Sequence, residues 1–213
     1  MTEVQTAGRG QAGTSWQSAP GENITLSLYY RPVFLEARHQ FVLSMAIALG
    51  VRGTLTTLLP DKEVSIKWPN DILINQKKVC GILIENHLQG QHLSGSIIGI
   101  GLNVLQKNFP GLPMATSLSV EGFNGTLEDV FAMLMEKLEQ QYLRIRKGQW
   151  SGLKSDYLQS LYGLGKPLLY KDAEGTFIGT IEDVDDAGKL IMDVNGRKRA
   201  YFHKEVELLY QDD

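Results

Sequence analysis

The sequence predicts an α+β chain in two parts: strands and helices up to about residue 164, then a small SH3-like β-barrel. Three observations carry this. Residues 23–30 alternate, with Ile24, Leu26, Leu28 and Tyr30 on one face and Thr25, Ser27 and Tyr29 on the other, which is the period of a strand. Residues 35–49, and the stretch after Thr126, carry apolar residues at helical spacing. From Lys166 onward the pattern changes to five short alternating segments separated by turn residues.

The elements follow in order. Residues 8–22 are rich in Gly, Ser and Pro and read as a loop. Leu35, Phe41, Val42, Met45, Ala46 and Leu49 mark a helix over 35–49, with Pro32 suiting its entry. Residues 64–68 alternate as a strand stopped by Pro69. Residues 72–74, a turn at 75–77 and residues 79–84 read as a hairpin. Residues 96–104 form an apolar strand with internal glycines. Thr126 and Asp129 resemble a capping box ahead of a long helix whose apolar side holds Leu127, Val130, Phe131, Leu134, Leu138, Tyr142 and Ile145. A second helix is expected over 153–162. Gly163 and Gly165 then break the chain, which places a boundary between units 1–164 and 165–213. In the second unit strands are expected at 168–170, 177–181, 189–194, 199–203 and 206–210.

Composition narrows the function. Of 213 residues, 43% are hydrophobic and 21% charged, as in a globular domain. The net charge of −3, with no block of like charges, argues against nucleic acid as a partner. A single cysteine, Cys80, forms no internal disulfide and suits a reducing cytoplasm. The histidines at 39, 87, 92 and 203 lack paired zinc-ligand spacing. No apolar run is read as reaching membrane-spanning length, and residues 1–4 do not open an export signal.

Four stretches carry candidate chemistry. Gly8-Arg9-Gly10-Gln11-Ala12-Gly13 matches a dinucleotide fingerprint in form, but residues 14–21 do not continue as a helix. It reads as a flexible loop or as an anion-binding loop with Arg9 as its cation. Lys67-Trp68-Pro69-Asn70-Asp71 marks a strand end whose Asn and Asp form either a simple turn or a polar rim. Lys78 opens the apolar run to Ile84, so it snorkels to solvent or holds an anion; Glu85 ends that run. Cys80 reads as a small buried filler. In Gly99-Ile100-Gly101-Leu102-Asn103-Val104 the glycines admit a ligand or a neighbouring backbone, and the Asn103 amide suits an adenine edge.

Taken in order, Gln-x-x-Gly-Arg-Gly with Trp16, Lys-Trp-Pro-Asn-Asp, Lys-x-x-Gly-Ile-Leu-x-Glu and Gly-Ile-Gly-x-Asn-Val resemble the biotin–protein ligase family. The resemblance starts near Gln5 and implies a mixed sheet flanked by helices, with the usual small C-terminal domain. It implies ATP-dependent formation of biotinyl-5′-AMP and transfer of biotin to a lysine of a biotin carboxyl carrier protein. It assigns Gln5, Gly8, Arg9, Gly10, Trp16, Lys78, Gly81, Ile82, Leu83, Gly99 and Gly101 to biotin. Arg9, Gln11, Asn70, Lys78 and Asn103 fall to ATP and the adenylate. Lys78, Asp71 and Arg9 are the catalytic residues, with Asp71 the magnesium candidate. The family's dimers, formed through sheet edges, make a homodimer an expectation.

The sequence departs from the family pattern in three places. Many members carry further arginines where this chain has Gln11 and Thr14, so weaker retention of the adenylate is expected. The strand and helix that normally precede the loop, with a Ser-Thr pair for the ureido ring, are not among residues 1–213, and weak biotin binding is expected. No DNA-binding segment precedes the loop, so a repressor role is not expected. A lipoate or octanoate ligase of the same fold, or an inactive biotin- or adenylate-binding remnant, remain the alternatives.

Overall fold

In the computed structural model, residues 16–210 are described, together with the backbone of Gly8, Arg9 and Ser15. Strands β1 (Gly8–Arg9) and β2 (Ser15–Trp16) form a short two-stranded ladder. The main sheet contains β3 (Asn23–Tyr30), β4 (Val64–Lys67), β5 (Asp71–Ile74), β6 (Lys77–Gln89) and β7 (His92–Asn103). Its order is β3-β7-β6-β5-β4. Three helices are α1 (Phe41–Leu58), α2 (Leu127–Arg146) and α3 (Trp150–Gln159). The last five strands are β8 (Pro167–Asp172), β9 (Gly175–Val184), β10 (Leu190–Val194), β11 (Arg197–Tyr201) and β12 (Glu207–Leu208), in the order β11-β10-β9-β8-β12.

The fold is α+β, and the C-terminal sheet has the expected SH3-like size. The strand pairs of the main sheet are all antiparallel; hairpins join β4 to β5, β5 to β6 and β6 to β7, while β3 pairs with β7 from far away in the chain. Parallel pairing enters it only as isolated bridges, Ile66 to Leu161 and Lys78 to Ala115. The β5–β6 hairpin turns on Asn75 and Gln76, both at positive φ (48° and 67°), where an Asn is well tolerated. Sequence reading missed how far β6 and β7 extend, to the turn at Gly90 (φ 61°), because residues 85–95 are polar.

The first helix begins later and ends later than its periodicity predicts. Leu35 lies in the preceding turn, where its N–H bonds to the Pro32 carbonyl at 2.8 Å and its side chain is fully buried. The helix runs through Gly50 and Gly53 to Leu58. Gly50 is there for packing: a β-carbon would lie 2.8 Å from Leu138 Cδ2 and 3.1 Å from Leu138 Cα of α2. The segment Ala37–Leu58 is, against the sequence reading, long and apolar enough to cross a membrane. Two-thirds (67%) of its most apolar stretch is buried inside the fold, so it is the core helix here.

Thr126 caps α2 as expected: its hydroxyl accepts from Asp129 N, and the Asp129 carboxylate accepts from Thr126 N. Val130, Leu134, Leu138 and Ile145 form its buried stripe. Helix α3 starts three residues earlier than predicted and yields by Ser160 to a segment that pairs with β4. There Ile66 N donates to Ser160 O and Tyr162 N to Ile66 O, both at 2.8 Å. In the C-terminal sheet, β11 starts at Arg197 because Asn195 and Gly196 form the positive-φ turn just before it. The two sheets share one apolar cluster that includes Tyr157, Ile181 and Leu190. Trp68 Nε1 donates to Gly188 O at 3.0 Å, and Lys154 pairs with Asp183 at 3.0 Å across the same junction.

Gly50 and Gly53 separate packing from propensity. Gly50→Val should lower unfolding free energy by about 1–3 kcal/mol, because the added carbons meet the α2 backbone. At Gly53 an added carbon meets only Lys137 Cδ at 3.9 Å. Gly53→Ala should therefore stabilise by roughly 0.5–1 kcal/mol. Denaturant midpoints read both signs; a stable Gly50→Val variant would refute the close helix contact.

Candidate active site

Alternation in the main sheet sorts its residues onto two faces. Ile24, Leu102, Cys80, Ile72 and Ile66 lie in one row across all five strands, each 0–1% exposed, and face the helices. The next row, on the opposite face, reads Thr25, Gly101, Gly81, Asp71, Lys67. Two adjoining glycines thus leave a floor of bare backbone, bounded by a carboxylate and an ammonium on one side. The row beyond it contains Ser27, Gly99 and Leu83.

Lys78 belongs on this face only because the strand is irregular. Gly81 pairs with Asp71 and Cys80 with Ile72, but Lys78, not Val79, pairs with Leu73. The extra residue is a β-bulge, and it returns the Lys78 side chain to the Gly81 side. Lys78 Nζ meets Asp71 Oδ1 at 2.8 Å and would lie 3.6 Å from a β-carbon on Gly81. The backbone of Lys78 is clamped: its N–H donates to Met114 O (2.7 Å) and its carbonyl accepts from Thr116 N (2.9 Å).

Asn70 is fixed to the strand beside it, its amide donating to the Ile82 carbonyl and its own carbonyl accepting from Ile82 N. Tyr157 OH of α3 donates to the Pro69 carbonyl at 3.2 Å, which ties the core to the rim. The Trp68–Pro69 peptide bond is cis. Asn103 is 4% exposed; its amide donates to Thr116 O at 3.0 Å, while Oδ1 is buried with no partner among the described residues. Asn23 Oδ1 accepts from Val104 N at 3.0 Å, and Asn23 Nδ2 donates to Gln106 at 2.6 Å, which holds the start of the following loop.

Trp16 lies across the glycine floor. A β-carbon on Gly101 would sit 2.7 Å from Trp16 Cζ2, and one on Gly81 3.3 Å from Cζ3. The indole Nε1 is buried and has no partner among the described residues. Gly99 is out of Trp16's way, its nearest neighbour across the strand being Leu83 at 3.7 Å.

Among the expected site residues, the structure gathers Trp16, Asp71, Lys78, Gly81 and Gly101, with Gly99 and Leu83 one row away. Ile82 stands apart: its side chain is 3% exposed and points into the core. Only its strand backbone reaches this region, because adjacent residues face opposite ways. Gly8 and Arg9 pair by backbone with Trp16 and Ser15. Gln5, Gly10 and Gln11 lie outside the described residues, as does the side chain of Arg9. Cys80 is a buried filler whose thiol is pushed far up by burial, so it is unreactive.

Two features were missed. Lys67 shares the row of Asp71, sits 5.0 Å from the Tyr210 ring centroid, and has its pKa lowered chiefly by burial. Its place was implicit in the three residues between it and Asp71, given a tight hairpin. Residues 114–118, which clamp Lys78 and Asn103, carry no periodicity that would reveal them. A cleft of about 290 Å³ opens from Lys67 and Asp71 toward the C-terminal sheet, where His203 and Glu207 line it. No group of three or more metal-ligating side chains occurs among the described residues.

The site face thus combines a bare glycine floor, with room for a small molecule, and a lysine whose backbone is fixed by main-chain bonds. Residues 1–103 match the model of the biotin/lipoate A/B protein ligase family. The chain is 32% identical over 201 residues to a Mycobacterium tuberculosis biotin–[acetyl-CoA-carboxylase] ligase, covering 92% of this chain and 73% of that one. It is 32% identical over 214 residues to the Bacillus subtilis bifunctional ligase/repressor BirA, covering 98% of this chain but 65% of the relative's length. The fold superposes on Aquifex aeolicus biotin protein ligase in complex with biotin and ATP with a TM-score of 0.80, at 24% identity over 98% of this chain and 87% of that one. This chain belongs to the biotin–protein ligase family.

The seating of Trp16 is open to test. Gly101→Ala leaves no room for the indole, so Trp16 should swing outward. Its emission, isolated by difference against Trp16→Phe, should shift to the red and become more accessible to acrylamide. Gly81→Ala should act in the same direction but more weakly, its added carbon lying farther from the ring. An unaltered Trp16 signal in Gly101→Ala would refute the described seating.

Proposed function

We propose that the protein is an ATP-dependent biotin–protein ligase of the cytoplasm, forming biotinyl-5′-AMP and passing biotin to a lysine of a biotin carboxyl carrier protein. The observation that carries this reading is the ammonium of Lys78, 2.8 Å from Asp71, beside a floor of paired glycines. In this reading residues 1–164 form the catalytic unit and 165–213 a small domain walling one side of the cleft.

The first step joins two anions. A biotin carboxylate oxygen attacks the α-phosphorus of ATP, the new P–O bond forms, and pyrophosphate leaves. Repulsion between the reactants opposes their approach, and fixed cations offset it. Lys78 is assigned this task, with Arg9 from the glycine-rich loop. Biotin lies over Gly81, Leu83, Gly99 and Gly101, where the missing side chains make room, with the backbone at Ile82 beneath. Trp16 and the loop residues Gln5, Gly8 and Gly10 close over it. Asn70, Asn103 and Gln11 are assigned to the nucleotide; the unpartnered Asn103 Oδ1 suits an amino donor such as that of adenine.

Magnesium fits as an ion carried by the nucleotide. Asp71 is a single carboxylate with one oxygen committed to Lys78, and Mg²⁺ commonly binds through one or two carboxylates plus substrate phosphates. It would supply further charge neutralisation at the phosphates. In the second step the lysine amine attacks the acyl carbon and AMP departs. Asp71 favours approach of the lysine ammonium. Exclusion of water by the closed loop protects the anhydride meanwhile.

Lys78→Ala should fold normally, since the side chain is 41% exposed and the clamp is made by backbone. Biotinyl-AMP formation should slow by about 2–4 kcal/mol of transition-state stabilisation. Pyrophosphate release with biotin and ATP measures it, and an undiminished rate would rule out the assignment. Gln11→Arg should slow the escape of biotinyl-AMP, because a guanidinium pairs with its phosphate. Hydroxylamine trapping of released adenylate reads the difference; equal or faster escape would contradict the role given to position 11.

A further inference from the structure

The cleft between the main sheet and the C-terminal sheet contains a titratable group that the first half-reaction does not use. His203 lies in a tight turn after β11, where Phe202 N donates to Glu205 Oε2 at 2.7 Å and Lys204 is held at φ 73°. The ring stands edge-on to Trp68, with centroids 6.1 Å apart. Trp68 is itself pinned to Gly188 O, so the surface under the imidazole is rigid. His203 and Asp71 line the same cleft, one from each sheet. No hydrogen bond occupies the imidazole nitrogens among the described residues.

A second observation marks this cleft as built for a polar guest. Tyr170 of β8 lies in its wall, 3% exposed, and its buried hydroxyl has no partner among the described residues. A buried hydroxyl left without a partner destabilises the fold unless a ligand satisfies it. In this structure one oxygen of Asp71 is engaged by Lys78.

We infer that His203 is the residue that accepts the proton of the incoming substrate ammonium, acting from the C-terminal sheet in the transfer half-reaction. This rests on the ligase reading above. One ammonium proton passes to an imidazole nitrogen. The freed lone pair attacks the acyl carbon, the C–N bond forms, and the C–O bond to the adenylate phosphate breaks with its electrons leaving on AMP. The second proton leaves the nitrogen for the AMP phosphate or water, and His203 returns its proton to solvent.

The surroundings keep the ring neutral. His203 as a whole is exposed, but partial desolvation of its ring lowers its pKa from the ordinary 6.5, the charge of Lys204 acts in the same sense, and Asp71 opposes them. The other titratable groups facing the cleft are Lys67, Tyr162, Tyr170 and Glu207. At pH 7 the imidazole is therefore a free base. Transfer should fail on the acid side, as the ring protonates.

The test separates the half-reactions. Preformed biotinyl-AMP and a biotin carboxyl carrier domain report single-turnover transfer; pyrophosphate release from biotin and ATP reports adenylation. In His203→Ala the ratio of transfer to adenylation at pH 7 should fall on the order of 100-fold. The acid limb of the transfer profile should vanish, and added imidazole should restore much of the rate. His203→Gln, which keeps the shape of a polar side chain, should show the same loss. Transfer that falls only in step with adenylation, keeps its acid limb or ignores imidazole overturns the assignment. A wild-type protein that makes no biotinyl-AMP would instead sink the ligase reading, and the preformed-adenylate arm would still judge His203.

Discussion

Antiparallel pairing gives the main sheet two unlike faces, and every feature of the site depends on that division. A residue buried against the helices sends its neighbour to the opposite face, so the apolar row through Ile24, Leu102, Cys80, Ile72 and Ile66 fixes its neighbours without further choice. Lys78 breaks the rule that would otherwise bury it. Strict alternation from Gly81 would put Val79 on the site face and Lys78 in the core, at a desolvation cost of several kcal/mol for an unpaired ammonium. The bulge at Val79 removes that conflict, sending Val79 inward at 0% exposure and Lys78 outward to Asp71. The position of the principal cation is thus a consequence of core packing.

The Lys78–Asp71 pair itself contributes little to stability. Its side chains are 41% and 23% exposed, and pairs of this kind are worth about 0–1 kcal/mol. That weakness suits a site. A lysine held loosely by one carboxylate can turn to substrate anions at small cost, while its backbone stays clamped between Met114 and Thr116. Rigidity thus resides in main-chain hydrogen bonds, and adaptability in the side chain.

Sequence reading found what periodicity encodes. The strand at Asn23–Tyr30, the capping box at Thr126, the β5–β6 hairpin and the C-terminal strands all follow from local alternation and turn chemistry. Errors arose where tertiary packing overrode local signals. Gly50 and Gly53 look like helix breakers, yet α1 passes through both, and at Gly50 the bare backbone is what lets α2 pack close. Ile82 sits inside a glycine-flanked motif, which suggests a pocket wall, but alternation sends its side chain into the core. Residues 114–118 act through main-chain groups, and no side-chain pattern records that. The bulge is a single unpaired residue inside an apolar run, visible only once the partner strand is known.

Trp16 on the glycine floor has its own logic. With Gly81 and Gly101 bare, an empty site would expose an apolar trough of backbone, and the indole covers it. The cover is imperfect, because its Nε1 is buried without a partner among the described residues, a loss of about 1–3 kcal/mol against a satisfied donor. A ligand that lies on the same glycines and offers an acceptor to that N–H removes the penalty as it takes the floor. The covered state is therefore favourable enough to keep water from the trough and poor enough to yield to a ligand. A larger residue at Gly101 would destroy both properties together, since it fills the space that indole and ligand use in turn.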